Sequence, residues 1–242
     1  MGRLIGVLLV MLCCGDGDAF AEDPLVLFFH QRPPYAWADE ANTVKGLVAE
    51  PAERALRQAG IDFSWVSMPS ARQIETLKTN TVKACGVGWF QLPEREIFAR
   101  FSAPLYRDRG IVIIAREDDA RFNGNPPIDR LFGDPELILL TKIGYSYGAM
   151  LDAKVATLRP RQEKITDDDS HMLDLLAFDR ADYLLMPSEE ADYLLHARKD
   201  AGSKLATFTF ADAPVVEERR LMCSKQVPQS LIDRFDAALG AE

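Results

Sequence analysis

The sequence is poor in the residues that mark metal and nucleic-acid sites. Its 242 residues hold three histidines, His30, His171 and His196, set far apart. No Cys-x-x-Cys and no His-x-x-x-His occurs, so the common metal-ligand spacings are missing. No cofactor is expected. Basic runs are missing as well. Lys and Arg number 28 against 37 Asp and Glu, a formal net charge of -9. An acidic chain without a basic block is a poor match for nucleic acid or an anionic membrane surface. Beyond residue 14 no apolar stretch is long enough to span a bilayer.

The amino terminus has the pattern of an export signal. Met1-Gly2-Arg3 carries one positive charge, and Leu4 to Cys14 is apolar but too short for a membrane span. Gly15 to Asp18 breaks the run, and Ala19-Phe20-Ala21 fits the small-x-small cleavage site. Residues 1–21 therefore read as a signal peptide, with the mature chain starting at Glu22 in the periplasm. Lipid attachment at Cys13 or Cys14 would follow the bulky Leu12 or Cys13, and a retained anchor is the alternative to cleavage. Only Cys85 and Cys223 then remain of four cysteines. The compartment permits a disulfide. Both cysteines sit in apolar, strand-like runs, so two buried thiols are the other reading.

Strand-like and helix-like segments alternate along the mature chain. Leu25 to His30 is an apolar run closed by Arg32-Pro33-Pro34, a buried strand. Pro51 to Ala59 reads as a helix ended by Gly60, Ile61 to Ser67 as a strand, Ser70 to Thr79 as a helix and Val82 to Gly88 as a strand. This β-α-β-α-β order argues for a parallel sheet covered by helices. Phe101 to Arg107 reads as irregular, and Gly110 to Ala115 as a strand. A second α/β stretch follows: strands at Leu137 to Ile143, Lys164-Ile165, Tyr183 to Met186 and Leu205 to Phe210, with helices at Tyr147 to Ala156, Asp169 to Ala177 and Glu189 to Arg198. The chain closes with a strand, Arg220 to Ser224, and a helix, Ser230 to Leu239. The expected architecture is α/β and two-lobed, with residues 22–108 and 212–242 in lobe one and 109–211 in lobe two. A ligand cleft would lie between the lobes, where open α/β sheets bind ligands. Pattern alone leaves a single larger α/β domain open.

Four segments carry a resemblance. They are Leu92-Pro93-Glu94-Arg95 followed by Phe101-Ser102-Ala103-Pro104-Leu105-Tyr106; Arg32-Pro33-Pro34-Tyr35 after the first strand; Asp179-Arg180-Ala181-Asp182 before an apolar strand; and Gly144 to Gly148 at a strand-to-helix turn. In this order and spacing the chain resembles the extracellular solute-binding proteins, family 3, that serve amino-acid importers of the ABC type. The resemblance covers nearly the whole mature chain and implies the periplasmic-binding-protein-like (type II) fold. It also implies that Arg95 grips a ligand carboxylate, as a planar guanidinium can through two parallel donors. Without the resemblance, Arg95 reads as a solvated helix residue beside Glu94 and Glu96. By the same resemblance, Gly88 and Phe90 offer backbone groups to the ligand, and the amides at Gly148-Ala149 meet its carboxylate at a helix start. Ala149 stands where relatives often carry Thr. Tyr35, Trp37, Trp89 and Phe90 flank the expected cleft, though core packing is the usual role of such rings. Arg32 stands near the slot of a covering aromatic. Together with Arg72 and Arg95, it suggests a ligand more anionic than a plain amino acid.

Two departures bear on the ligand. Pro187 fills the slot where amino-acid binders hold the ligand ammonium with Asp, and Val48 replaces another common Asp. A carboxylate without an adjacent ammonium, or a different polar solute, becomes reasonable. The leading expectation is a monomer that captures a small solute by hinge closure at Tyr106 to Gly110 and Phe210 to Pro214, then docks on a membrane permease. A dehydratase on the same scaffold would need a carboxyl of raised pKa, for which Glu189 and Glu190 are the candidates. A sensory binding protein without a transporter is the third reading.

Overall fold

The computed structural model describes residues 23–166, 169–198, 204–213 and 218–241. The leader, its cleavage site and Pro214 lie outside the described residues. Among the described residues no helix is long and apolar enough to cross a membrane.

Apolar runs at the expected places become buried strands. The first part of the chain forms β1 (Leu25–Phe29), the short hairpin β2 (Trp37–Ala38) and β3 (Val44–Lys45), α1 (Ala49–Gln58), β4 (Phe63–Ser67), α2 (Ser70–Thr79), β5 (Ala84–Phe90), α3 (Pro93–Glu96), β6 (Ala99–Phe101) and β7 (Tyr106–Arg107). Helix α1 buries Ala49, Ala52, Ala55 and Leu56, a spacing that puts them on one face. The middle part forms β8 (Ile111–Arg116), α4 (Ile128–Gly133), β9 (Leu139–Lys142), α5 (Ala149–Leu158), β10 (Gln162–Ile165), α6 (Asp169–Ala177), β11 (Tyr183–Pro187), α7 (Ser188–Ala197) and β12 (Leu205–Phe208). The closing part is β13 (Glu218–Ser224) and α8 (Gln229–Leu239).

These strands make two main sheets. One has the order β4-β1-β5-β13-β6, with β7 also on β13; the other runs β10-β9-β11-β8-β12. In the first, β1 is parallel to β4 and β5, while β13 is antiparallel to β5, β6 and β7. In the second, β9 is parallel to β10 and β11, and β8 is antiparallel to β11 and β12. Each sheet has its own buried clusters, around Leu27, Leu56 and Phe235 in the first and around Ile113, Phe122 and Tyr183 in the second. The fold is thus two-lobed α/β, and the chain passes between the sheets after β7 and again after β12.

Two segments differ from the sequence reading. Phe101 to Arg107, read as irregular, carries the end of β6 and all of β7. Both pair with β13, more than a hundred residues away, so no local alternation announces them. Helix α4 has no counterpart in the sequence reading. It is one short turn that buries Ile128, Leu131 and Phe132, below the length at which periodicity is legible. The cysteines, left open by the sequence, form a disulfide, Cys85–Cys223, because β5 and β13 are neighbours with these residues in register.

Candidate functional site

The parallel strands of the first sheet end beside one side of a cleft. His30 follows β1 directly, Ser70 opens α2, and residues 87–90 finish β5. Gly144, Tyr145 and Ser146 of the second lobe face them after β9. The cleft between them has about 400 Å³ of space unfilled by protein when the open solvent at its mouth is included.

A bulge in β5 shapes its floor. Arg220 pairs with Trp89 and Leu221 with Val87, so Gly88 is the extra residue. Bulges re-aim the chain in this way beside functional sites. Gly88 has φ +80, a left-handed conformation that disfavours a side chain, and an added Cβ would stand 3.0 Å from Val48. At Gly86 a Cβ would fall 2.4 Å from Trp89 Nε1. That close approach lets Trp89 donate to Gln73 Oε1 at 3.1 Å, while Gln73 donates to the Met68 carbonyl at 2.8 Å. The indole is fixed by this chain of bonds.

Arg95 lies against that indole. Leu92 is extended and Pro93 starts α3, so the short turn folds Arg95 back towards β5. Its Nη1 donates to the Phe90 carbonyl at 3.0 Å, and its guanidinium carbon is 4.9 Å from the Trp89 ring centre. The residue is only 8% exposed, yet among the described residues no carboxylate reaches it as an ion-pair partner. Burial pushes its pKa down from the usual arginine value. The charges of Glu94 and Asp152 oppose that shift without overcoming it, and an acid entering the cleft would offset the remaining cost of burial.

The other arginines of the cleft are compensated. Arg219, on β13, binds Asp108 through Nε and Nη2, both at 2.7 Å. Its Nη1 donates to the Gly88 carbonyl at 3.2 Å, and its guanidinium lies 3.7 Å from the Tyr35 ring centre and 4.7 Å from that of Phe90. Arg32 reaches across to the second lobe and binds Glu190 at 2.8 and 2.7 Å, with the Tyr145 ring centre 4.5 Å from its guanidinium. His30 Nε2 and the Tyr145 hydroxyl are 3.1 Å apart on the same face.

Glu189 has a different place. It accepts from the Arg109 amide at 2.6 Å, the Tyr106 hydroxyl at 2.9 Å and the Tyr35 hydroxyl at 3.4 Å, tying the first crossing to the start of α7. Burial pushes its carboxyl up, but these hydrogen bonds outweigh burial and hold it below its ordinary value. Tyr106 is pushed up to about 12, first by burial and then by its bond to Glu189.

Of the residues singled out from sequence, Arg32, Gly88, Trp89, Phe90 and Arg95 line the cleft together. Tyr35 is buried beneath Arg219 rather than on the wall. Trp37 is half-buried against Tyr193 of the second lobe. Arg72 is exposed on α2 and is not on the wall; Ser70, at the start of that helix, is. Gly148 is buried and Ala149 exposed, and neither lines the cleft. The preceding turn does so instead. Asp152 takes the Tyr147 amide at 2.9 Å, and Ser146 Oγ takes the Gly148 amide at 3.1 Å. Sequence reasoning missed His30, Ser70, Val87 and Arg219, whereas Gly144, Tyr145 and Ser146 belong to the segment it singled out. His30 had a usable signal, since it follows the first strand directly at the edge where such sheets bind ligands. Arg219 had none nearby, because its place depends on the return strand. Among the described residues no cluster of potential metal ligands occurs.

Two α/β lobes, crossed twice by the chain and facing each other over a cationic cleft, define the bilobal binding-protein class. The family model of bacterial extracellular solute-binding proteins, family 3, matches residues 25–241, and the chain belongs to this family. None of the curated proteins matches it. Among solved structures it is similar to holo ArgBP from T. maritima, with 20% identity, 90% of this chain and 88% of that chain covered and a TM-score of 0.68. It is also similar to the GluR0 ligand-binding core from Nostoc punctiforme in complex with (L)-glutamate, at 17% identity over 89% and 91% of the two chains, TM-score 0.66. A third is the ancestral amino acid-binding protein AncCDT-1, a precursor of cyclohexadienyl dehydratase, at 18% identity over 90% and 87%, TM-score 0.67. At these identities the likeness extends to the fold.

Proposed function

We propose that the protein is a periplasmic receptor, exported by a cleaved signal peptide, that captures a small carboxylate-bearing solute by closing its two lobes. The single observation that carries this reading is Arg95, a buried guanidinium facing the cleft with no carboxylate in ion-pair contact among the described residues. Charge-assisted hydrogen bonds of the kind it can donate contribute about 1.5–3 kcal/mol each. That similar structures hold arginine or glutamate, both carboxylates, supports the same reading. Lobe one would comprise residues 22–108 and 212–242 and lobe two 109–211, with hinges at 106–110 and 210–214. The ligand meets the first lobe at Arg95 and the β5 bulge, and Gly144 to Ser146 then close over it. The closed monomer delivers its solute to an ABC-type permease; a sensor is the other destination, and permease and ATPase genes beside this one would favour transport.

The role is binding rather than catalysis. A dehydratase needs a carboxyl of raised pKa. Glu189 is held low instead, and Glu190 is engaged by Arg32.

The test is calorimetry with a carboxylate hit from a thermal-shift screen of amino, hydroxy, oxo and simple carboxylic acids. Arg95→Ala is expected to weaken binding about ten- to a hundredfold, the loss of one charge-assisted contact. Unchanged affinity in that variant would end the proposal.

A further inference from the structure

Gly88 and Phe90 present backbone carbonyls at the bulge, where an incoming ammonium would look for acceptors. Each of these carbonyls already accepts one guanidinium hydrogen bond, which leaves one lone pair. The Phe90 oxygen accepts from Arg95 Nη1 at 3.0 Å, and the Gly88 oxygen from Arg219 Nη1 at 3.2 Å. Arg219 is held there from three sides. Asp108 clamps it through two bonds of 2.7 Å, and the rings of Tyr35 and Phe90 stack on it at 3.7 and 4.7 Å. It is 2% exposed, and its neutralising carboxylate is equally buried. Its position is therefore built into the first lobe and does not depend on closure. Opposite, Pro187 ends β11 with no carboxylate to offer, and the acid two residues on, Glu189, is bound to the first crossing. Glu190 is 1% exposed and bidentate to Arg32.

The charges at the wall can be matched pair by pair. Arg219 is balanced by Asp108 and Arg32 by Glu190, whereas Arg95 has no such partner among the described residues. One uncompensated positive charge fits one ligand carboxylate. A ligand that also carried an ammonium would bring a second cation beside three guanidinium groups, to carbonyls that each already accept from one of them.

We infer that Arg219 stands in the site as a resident cation, so that the protein takes small monoanionic carboxylates without an α-ammonium in preference to α-amino acids. The inference rests on the carboxylate reading above and sharpens it. Arg219 is then a specificity-determining residue: its Nη1 already engages the Gly88 carbonyl, while Arg95 receives the acid.

Matched pairs test it directly. Calorimetry or thermal shift on the wild-type chain compares L-phenylalanine with 3-phenylpropanoate, L-leucine with 4-methylpentanoate, L-glutamine with 4-carbamoylbutanoate and L-serine with 3-hydroxypropanoate. In the pairs that bind, the deaminated acid is expected to bind at least about tenfold more tightly, because a desolvated ammonium short of acceptors is strongly disfavoured. Equal or tighter binding of the amino acid, lost in Arg95→Ala, overturns this inference and leaves the carboxylate reading standing. Binding by no member of any pair overturns both. A double variant, Arg219→Met with Asp108→Asn, removes the buried pair together and frees the Gly88 carbonyl. If it folds, judged by circular dichroism, it is expected to shift the preference towards the amino acid. The wild-type comparison decides the matter if it does not fold.

Discussion

Glu189 experiences two opposing influences, and their balance has a measurable consequence. Burial raises its carboxyl, while its own backbone amide, the Arg109 amide, the Tyr106 hydroxyl and the Arg109 charge together lower it further than burial raises it, so it lies below its ordinary 4.5. A carboxyl held low in the folded state stabilises that state fully above 4.5 and loses the contribution as pH falls through the lowered value. The melting temperature of the wild type is expected to drop between about pH 6 and pH 3.5, and Glu189→Gln to drop less over the same interval. Identical slopes for the two proteins would show that this carboxylate does not anchor the crossing. The residues of the site were unequally legible. Arg95 sits in a contiguous Leu-Pro-Glu-Arg turn, so its neighbours in sequence are also its neighbours in space. Arg219 reaches the cleft only because β13 returns to pair with β5, and its partner Asp108 is 111 residues earlier. Arg72 shows the opposite failure. A cation on a helix near the cleft looks suitable, but the helix phase that buries Gln73 and Leu77 turns Arg72 to solvent.

At the scale of elements, the strand β13 does more than complete a sheet. It carries Arg219 to the cleft and is joined to β5 by Cys85–Cys223. The two cysteines are 138 residues apart in sequence, and the whole second sheet lies between them. Closing so long a loop restricts the unfolded chain, and loss of a native bridge typically costs about 2–5 kcal/mol. Reduction, or Cys85→Ala with Cys223→Ala, is therefore expected to lower the melting temperature by roughly 10 °C. An unchanged melting curve would mean that the pairing of β13 with β5 needs no covalent support. Most strands and helices were legible because their apolar periodicity is local. The short strands β6 and β7 were not, since their hydrogen bonds come from β13 at the far end of the chain. The hairpin β2–β3, with two residues in each strand, is too short to show any period.

The whole molecule places the uncompensated charge of Arg95 in a cleft whose walls come from both lobes, and it already has contacts that join them. Arg32 with Glu190, and His30 with Tyr145, cross from the first lobe to the second, while Glu189 holds the first crossing. A ligand that shifts an open-to-closed balance must add differential interaction with the closed form. Arg95 is the group positioned to supply it. Small-angle X-ray scattering of the wild type and of Arg95→Ala, each titrated with the tightest-binding carboxylate, reads this directly. The wild type should contract saturably with ligand, and Arg95→Ala should hold its ligand-free dimensions over the same range. Equal contraction of the two proteins at the same concentrations would contradict the account.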